Sequence, residues 1–213
     1  MRKKPLVNNE YYHIYNRGVE KRDIFLCDGD YGRFLLSMKE FNGIDPIFSL
    51  YWHSQQKRKS DVDVGRLQKL VDIVCYCLNP NHVHFILKQV SEGGISEFMK
   101  RLSGGYTKYF NHRYKRSGVL FQGKFKSVHI ETNAQLLYLS AYINKNYFIH
   151  GYSNNSSWSY SSLLDYTEKR NTEICSPDII LSQFKNKNEY CEFIQENALY
   201  MRGKKEDEKY LLE

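Results

Sequence analysis

Two apolar runs joined by a connection too short for any crossover constrain this chain most. Leu70–Leu78 reads LVDIVCYCL, His82–Lys88 reads HVHFILK, and only Asn79-Pro80-Asn81 lies between them. Both runs are rich in β-branched and aromatic residues, as strands are, and Asn-Pro-Asn is strong turn chemistry. Parallel neighbours need a dozen or more connecting residues, so these two strands must be antiparallel. Tyr11–Tyr15 (YYHIY) reads as another strand, ended by Asn16-Arg17-Gly18; Pro46–Trp52 and Ser127–Glu131 read as two more. Helical spacing marks Asp30–Phe41, through Phe34, Leu35, Met38 and Phe41. A second helix is expected over Ser96–Tyr114, with Gly104-Gly105 as a weak point. A third, capped by Thr132 or Asn133, should run to about Tyr147. Polar Ser54–Asp63 and the Asn- and Ser-rich Ser153–Ser162 read as loops. One or two helices follow Ser176, before the charged tail Arg202–Glu213. The expected fold is therefore α+β: an antiparallel sheet with helices packed on one face, plus a helical C-terminal extension. Residues 1–150 would form the main domain, and 151–213 the loop and extension. A doubly wound parallel sheet is excluded by the hairpin, and no glycine-rich phosphate loop is present.

Composition narrows the partner. The chain of 213 residues carries a net charge of +7, which favours a polyanion. Eighteen tyrosines suit contact with single-stranded nucleic acid, where rings stack on bases, although most tyrosines in any fold are packing residues. The five cysteines, Cys27, Cys75, Cys77, Cys175 and Cys191, are odd in number and match no disulfide framework, so reduced thiols in a cytosol are expected. Met1-Arg2-Lys3-Lys4-Pro5 is followed by no apolar stretch and does not read as a signal peptide; no run approaches membrane length.

Three local features carry chemistry. His82-Val83-His84 places two imidazoles on one strand face, with Val83 on the other, which makes a half-site for a divalent ion. Tyr142 and Asn146 stand four apart on the expected third helix, hence on one face, beside an apolar stripe of Leu136, Ile143 and Tyr147. Asn146 offers a carbonyl oxygen as a third ligand, which would hold Tyr142 one turn from the ion; as bare residues the two read more readily as a helix-end cap and a packing ring. The stretch Tyr106–Lys126 interleaves Lys108, Arg113, Lys115, Arg116, Lys124 and Lys126 with Tyr109, Phe110, Phe121 and Phe125, in the manner of a surface for phosphates and bases. A smaller basic cluster is Arg17, Lys21 and Arg22. No general base is evident; His112 and His129 read as structural.

The spaced set YHIYNRGVEKRDIF, CLNPNHVHFIL, SGVLFQGKFKS and AYINKN resembles the HUH single-tyrosine transposases, and among them the REP-associated tyrosine transposases of the insertion-sequence-200-like class. The similarity runs from about Tyr11 to Tyr166 and includes WSYSS at Trp158. It implies a ferredoxin-like fold, metal ligation by His82, His84 and Asn146, and Tyr142 as the nucleophile. The family often reads tyrosine, isoleucine, two variable residues, asparagine, proline at this point; here Tyr147 replaces the proline. The implied activity is cleavage and rejoining of single-stranded DNA, at hairpin-forming ends, through a 5′-phosphotyrosine intermediate. Mg²⁺ or Mn²⁺ would be the cofactor. Arg17, Lys21 and Arg22 together with Lys108, Arg113, Lys115, Arg116, Lys124 and Lys126 are the expected backbone contacts. A cytoplasmic, nucleoid-associated protein follows, without a membrane partner; a homodimer is possible on family grounds. Three rivals stand beside this reading. One is a zinc module built from Cys75, Cys77, His82 and His84. Another is a hairpin-binding protein of the same fold that no longer cuts. The third is a replication initiator or relaxase, for which 213 residues leave little room.

Overall fold

In the computed structural model, residues 5–47, 50, 68–154, 158–170 and 172–210 are described. Strands β1 (Tyr11–Arg17), β2 (Val71–Asn79), β3 (His82–Gln89) and β4 (Lys126–His129) form one antiparallel sheet in the order β2-β3-β1-β4. The helices are α1 (Asp28–Glu40), α2 (Gly94–Arg113), α3 (Asn133–Asn144), α4 (Asn146–Ile149), α5 (Leu163–Tyr166), α6 (Asp178–Leu181) and α7 (Lys187–Tyr210). The central hairpin is as expected, with Cys77 opposite His84 and Asn79 opposite His82. Most of the expected strand at Pro46–Trp52 lies outside the described residues; Leu50 itself is helical and buried.

The α+β class holds, but the helices cover both faces rather than one. The reason is in the hairpin: β2 and β3 are apolar on both sides and almost fully buried, so each face needs a cover. On one face, Tyr12 and Ile14 of β1, Tyr76 and Leu78 of β2, and Val83, Phe85 and Leu87 of β3 pack with Phe34 and Met38 of α1 and with Phe98, Leu102 and Tyr106 of α2. On the other, Val74, Cys75, Cys77 and Ile86 pack with Leu136 and Ile143 of α3, Tyr147 of α4, Tyr166 of α5, Ile180 of α6 and Tyr190 and Ile194 of α7. Thr132 caps α3 through a full capping box, its hydroxyl accepting from the Gln135 amide at 3.2 Å.

One expected weak point holds, and a helix expected to run unbroken does not. The helix over Gly104-Gly105 is continuous, because Gly105 lets the Phe41 ring approach: a Cβ there would stand 2.8 Å from it. The third helix does break, at Lys145 (φ −110°, ψ 13°), so Asn146 begins α4 instead of continuing α3. Tyr147, where the family often has proline, is fully buried and stacks on Trp158 with ring centroids 5.9 Å apart.

Segment 158–162 lies along the outer edge of β2. The Leu78 amide donates to the Tyr160 carbonyl at 2.9 Å, the Ser162 amide to the Tyr76 carbonyl at 2.9 Å, and the Trp158 indole to the Leu78 carbonyl at 2.9 Å. Ser161 and Ser162 also hydrogen-bond Asn144, which ties this segment to the end of α3. Among the described residues no helix is long and apolar enough to cross a membrane.

Candidate active site

Alternation along β3 turns His82 and His84 to the same face as α3, and antiparallel pairing sets His13 and Tyr15 of β1 beside them. The imidazoles of His82 and His84 stand 5.1 Å apart, edge to face. Tyr142 projects from α3 onto this group, its ring edge-on to His84 at 5.6 Å and to His13 at 6.3 Å. Asn146, fully buried, brings its Oδ1 to 3.1 Å from His82 Nε2. The four residues singled out from the sequence therefore meet within one chain. The cleft in front of them, about 370 Å³, is lined by His82, His84, His150, Tyr15, Tyr152, Arg17 and Lys126 among others.

Hydrogen bonds fix how His82 presents itself. The Asn81 amide nitrogen donates to the Lys21 carbonyl at 3.2 Å, so its Oδ1 is an acceptor, which receives the Tyr152 hydroxyl at 2.9 Å. His82 Nδ1, 2.6 Å from that oxygen, must then be the protonated nitrogen, and Nε2 carries the lone pair. Nε2 and Asn146 Oδ1 are thus two acceptors aimed at one point. Asn79 Nδ2 serves both, at 2.9 and 2.6 Å. His84 Nδ1 lies 2.9 Å from His13 Nε2; with the shared proton on His84, its own Nε2 is the lone-pair nitrogen too. The Asn146 amide nitrogen is buried and has no hydrogen-bond partner.

Burial keeps these rings neutral. It lowers His13 to about 4, and lowers His150 to about 4 with help from Lys205 and His82. His82 falls for the same reason, opposed by the Asn146 Oδ1, which would accept from a protonated ring and so acts upward, and His84 falls well below its ordinary value. Burial raises the Tyr142 phenol, opposed by the nearby Asn146 amide. The arrangement offers uncharged nitrogen and oxygen lone pairs to a cation, next to a hydroxyl that resists ionising by itself.

The expected DNA contacts divide. Arg17, hydrogen-bonded to Gln122 at 3.0 Å, and Lys126, 5.9 Å over the Tyr15 ring, border the cleft. Lys124 lies on an adjoining hollow with Asn16 and Phe125. Lys21 and Arg22 are exposed on the turn after β1. Lys108 is exposed on α2 and Lys115 just beyond it, on the covering layer of the opposite face. Arg113 is engaged by the buried Asp30 carboxylate at 3.6 Å and by Tyr109 and Tyr114, and Arg116 by Asn111 and the Val119 carbonyl; both are held by their own chain. His129 pairs with Glu10 at 2.9 Å and lies away from the cleft lining. A zinc module receives no support. Cys75 is opposite Ile86, one pleat from His84, and Cys77 donates to Asn79. Burial pushes the Cys77 thiol up to about 12. Among the described residues no three His, Cys, Asp or Glu side chains converge as ligands, so any ion would depend on the Asn146 amide.

Sequence reasoning missed His13, Asn79, Asn81, His150 and Lys205. His13 was legible, since it alternates with Tyr11 and Tyr15 on a strand bound to pair with the hairpin. Asn79 and Asn81 read only as turn residues. Lys205 stands in a charged tail and gave no local signal.

Residues 64–146 match the family described as transposase, IS200-like. The solved structure of a REP-associated tyrosine transposase bound to a REP hairpin shares the fold, with a TM-score of 0.50 and 14% identity over 84% of this chain and 89% of that one. No curated protein matches the chain.

Proposed function

We propose that this chain, related to the IS200-like transposases across residues 64–146, cuts and rejoins single-stranded DNA with Tyr142 as its nucleophile. The observation that carries the reading is the meeting of Tyr142 and Asn146 with His84 and His82, the two histidines that line the cleft. Mg²⁺ or Mn²⁺ is the proposed cofactor, held by His82, His84 and Asn146; when bound it supplies positive charge that grips a phosphate and eases ionisation of a nearby phenol. The donor set fits: the His82 and Asn146 acceptors already point at a shared partner, and burial keeps both histidines unprotonated.

The chain's own residues do the rest. Asn81 and His13 fix the two imidazoles, and α3 holds the phenol against His84. The Tyr142 oxygen attacks phosphorus, the bond to the 3′ oxygen breaks, and the 5′ phosphate stays on the tyrosine as an ester. The phenolic proton passes to water, and the departing 3′ oxygen takes one from water. A second 3′ hydroxyl reverses the reaction and joins a new strand. Arg17, Lys21, Arg22, Lys124 and Lys126 are proposed to hold the DNA backbone near the cleft, with Lys108 and Lys115 farther out. Arg113 and Arg116 would bind DNA only by giving up their present partners. Hairpin-forming single strands are the proposed substrate, and the likeness to a hairpin-bound transposase supports that choice.

The test is incubation with single-stranded hairpin oligonucleotides and Mn²⁺, followed by denaturing electrophoresis. A protein–DNA adduct is expected from the wild type and none from Tyr142→Phe, which should still bind the oligonucleotide. An adduct that persists in Tyr142→Phe refutes the assignment. Binding without any adduct in the wild type favours a silent hairpin-binding protein instead.

A further inference from the structure

The last helix reaches back to the nucleophile. Lys205 of α7 places its Nζ 2.6 Å from His150 Nδ1, and His150 Nε2 lies 3.4 Å from the Tyr142 hydroxyl. An ammonium group only donates, so Nδ1 must accept, and the single ring proton of His150 is then on Nε2, facing the phenolic oxygen. The ring is held in this pose: it packs edge-on against His82 at 5.1 Å and against Tyr142 at 6.5 Å, and stacks with Tyr152 at 6.4 Å. Gly151 follows it with φ 74°, which turns the chain back so that Tyr152 can reach Asn81.

Resting on the transposase reading, we propose that His150 is a catalytic hydrogen-bond donor to the Tyr142 oxygen and that Lys205 is the positioning residue that sets its tautomer. The chemistry asks for such a donor twice. In cleavage the phenol must become a phenolate in a buried place, and a donor lowers that cost. In rejoining, the bond between phosphorus and the Tyr142 oxygen breaks while the incoming 3′ oxygen bonds to phosphorus, and the same N–H meets the departing phenolate. His150 keeps its proton throughout; the phenolic proton and the proton of the incoming hydroxyl exchange with water in the open cleft. Lys205 acts only through the imidazole: its charge orients Nδ1 as an acceptor and polarises the ring toward the oxygen. The C-terminal extension thereby becomes part of the reaction centre.

The experiment has two independent readouts. Adduct formation at saturating hairpin oligonucleotide with Mn²⁺ gives a single-turnover rate, with oligonucleotide affinity measured separately. His150→Phe should lose about 10- to 100-fold in rate, the effect of removing one hydrogen bond to a charged group. His150→Gln, which keeps a donor, should recover part of it. Lys205→Met should lose several-fold and Lys205→Arg little, while Lys204→Met, which removes the same charge from an exposed neighbour on α7, should leave the rate unchanged. Rates equal to wild type in His150→Phe, or a Lys205→Met effect confined to affinity or matched by Lys204→Met, overturn the proposal. The second readout is ¹⁵N NMR of the imidazole nitrogens without DNA: His150 should show protonated Nε2 and bare Nδ1, shifting toward the other tautomer in Lys205→Met. A His150 already protonated on Nδ1 overturns it as well. If the wild type forms no adduct, the transposase reading falls, and the NMR result still decides whether the Lys205–His150 arrangement exists.

Discussion

The two faces of the sheet are built from the same strands and do opposite work. On the face under α1 and α2, rings meet rings: Phe25 stacks on Tyr31 at 4.3 Å and meets Phe34 edge-on at 5.2 Å, and Tyr106 closes the cluster with its hydroxyl on the Ile24 carbonyl at 2.6 Å. The buried Tyr106 hydroxyl finds its partner inside the chain. Beneath α3 and α4 the sheet carries His13 hydrogen-bonded to His84, His82 with its lone pair beside the Asn146 oxygen, and Asn146 with an orphaned amide. The first arrangement is what stabilises a domain. The second costs stability, since polar groups are buried with incomplete partners, and it persists only because the rest of the molecule holds it.

This contrast can be broken. The largest expected effect is on the aromatic face. Phe34→Ala, at a site 1% exposed, should cost about 3–5 kcal/mol in a denaturant melt. A loss below about 1 kcal/mol would show that this face does not carry the fold. Next comes acid. His13 and His150 are lowered to about 4 in the fold, so they stay neutral there while the unfolded chain protonates them near 6.5. Their contribution is complete above pH 6.5 and is lost as pH falls toward 4. Without divalent ions, stability should therefore drop across that window, and His13→Phe should flatten the slope. An unchanged slope would mean that this histidine is not held neutral by its surroundings. The smallest expected effect sharpens the comparison most. Tyr142→Phe removes a hydroxyl whose nearest partner is 3.4 Å away, so thermal stability should move by no more than about 0.5 kcal/mol while adduct formation disappears. A large loss of stability would make Tyr142 a structural residue first.

Much of this was legible in the sequence, for identifiable reasons. The hairpin followed from strand composition and a turn too short for anything else. A cap at Thr132 or Asn133 was expected, and the structure selects Thr132, with Gln135 completing a capping box. That His82 and His84 share a strand face, and Tyr142 and Asn146 a helix face, followed from the two periods; that the pairs meet was implied by the family resemblance. What escaped was information that is not periodic. That β2 and β3 need cover on both sides is written in their unbroken apolarity, yet which helices supply it depends on long connections. The break at Lys145 arises where Asn144 is claimed by Ser161 and Ser162, residues 17 and 18 positions away. Lys205 meets His150 across 55 residues, and nothing local in a run of charges distinguishes it from Lys204.

The boundary at residue 150 reads naturally as a place to shorten the protein, and the strand of chain along β2 says otherwise. The carbonyls of Val74, Tyr76 and Leu78 all find donors in residues 158–166, so a product ending at 150 would leave a bare, apolar rim with its bonding groups facing outward. Such a rim pairs with its own kind. A chain trimmed there should accumulate as insoluble material, whereas one ending after Tyr166 should keep that seam closed.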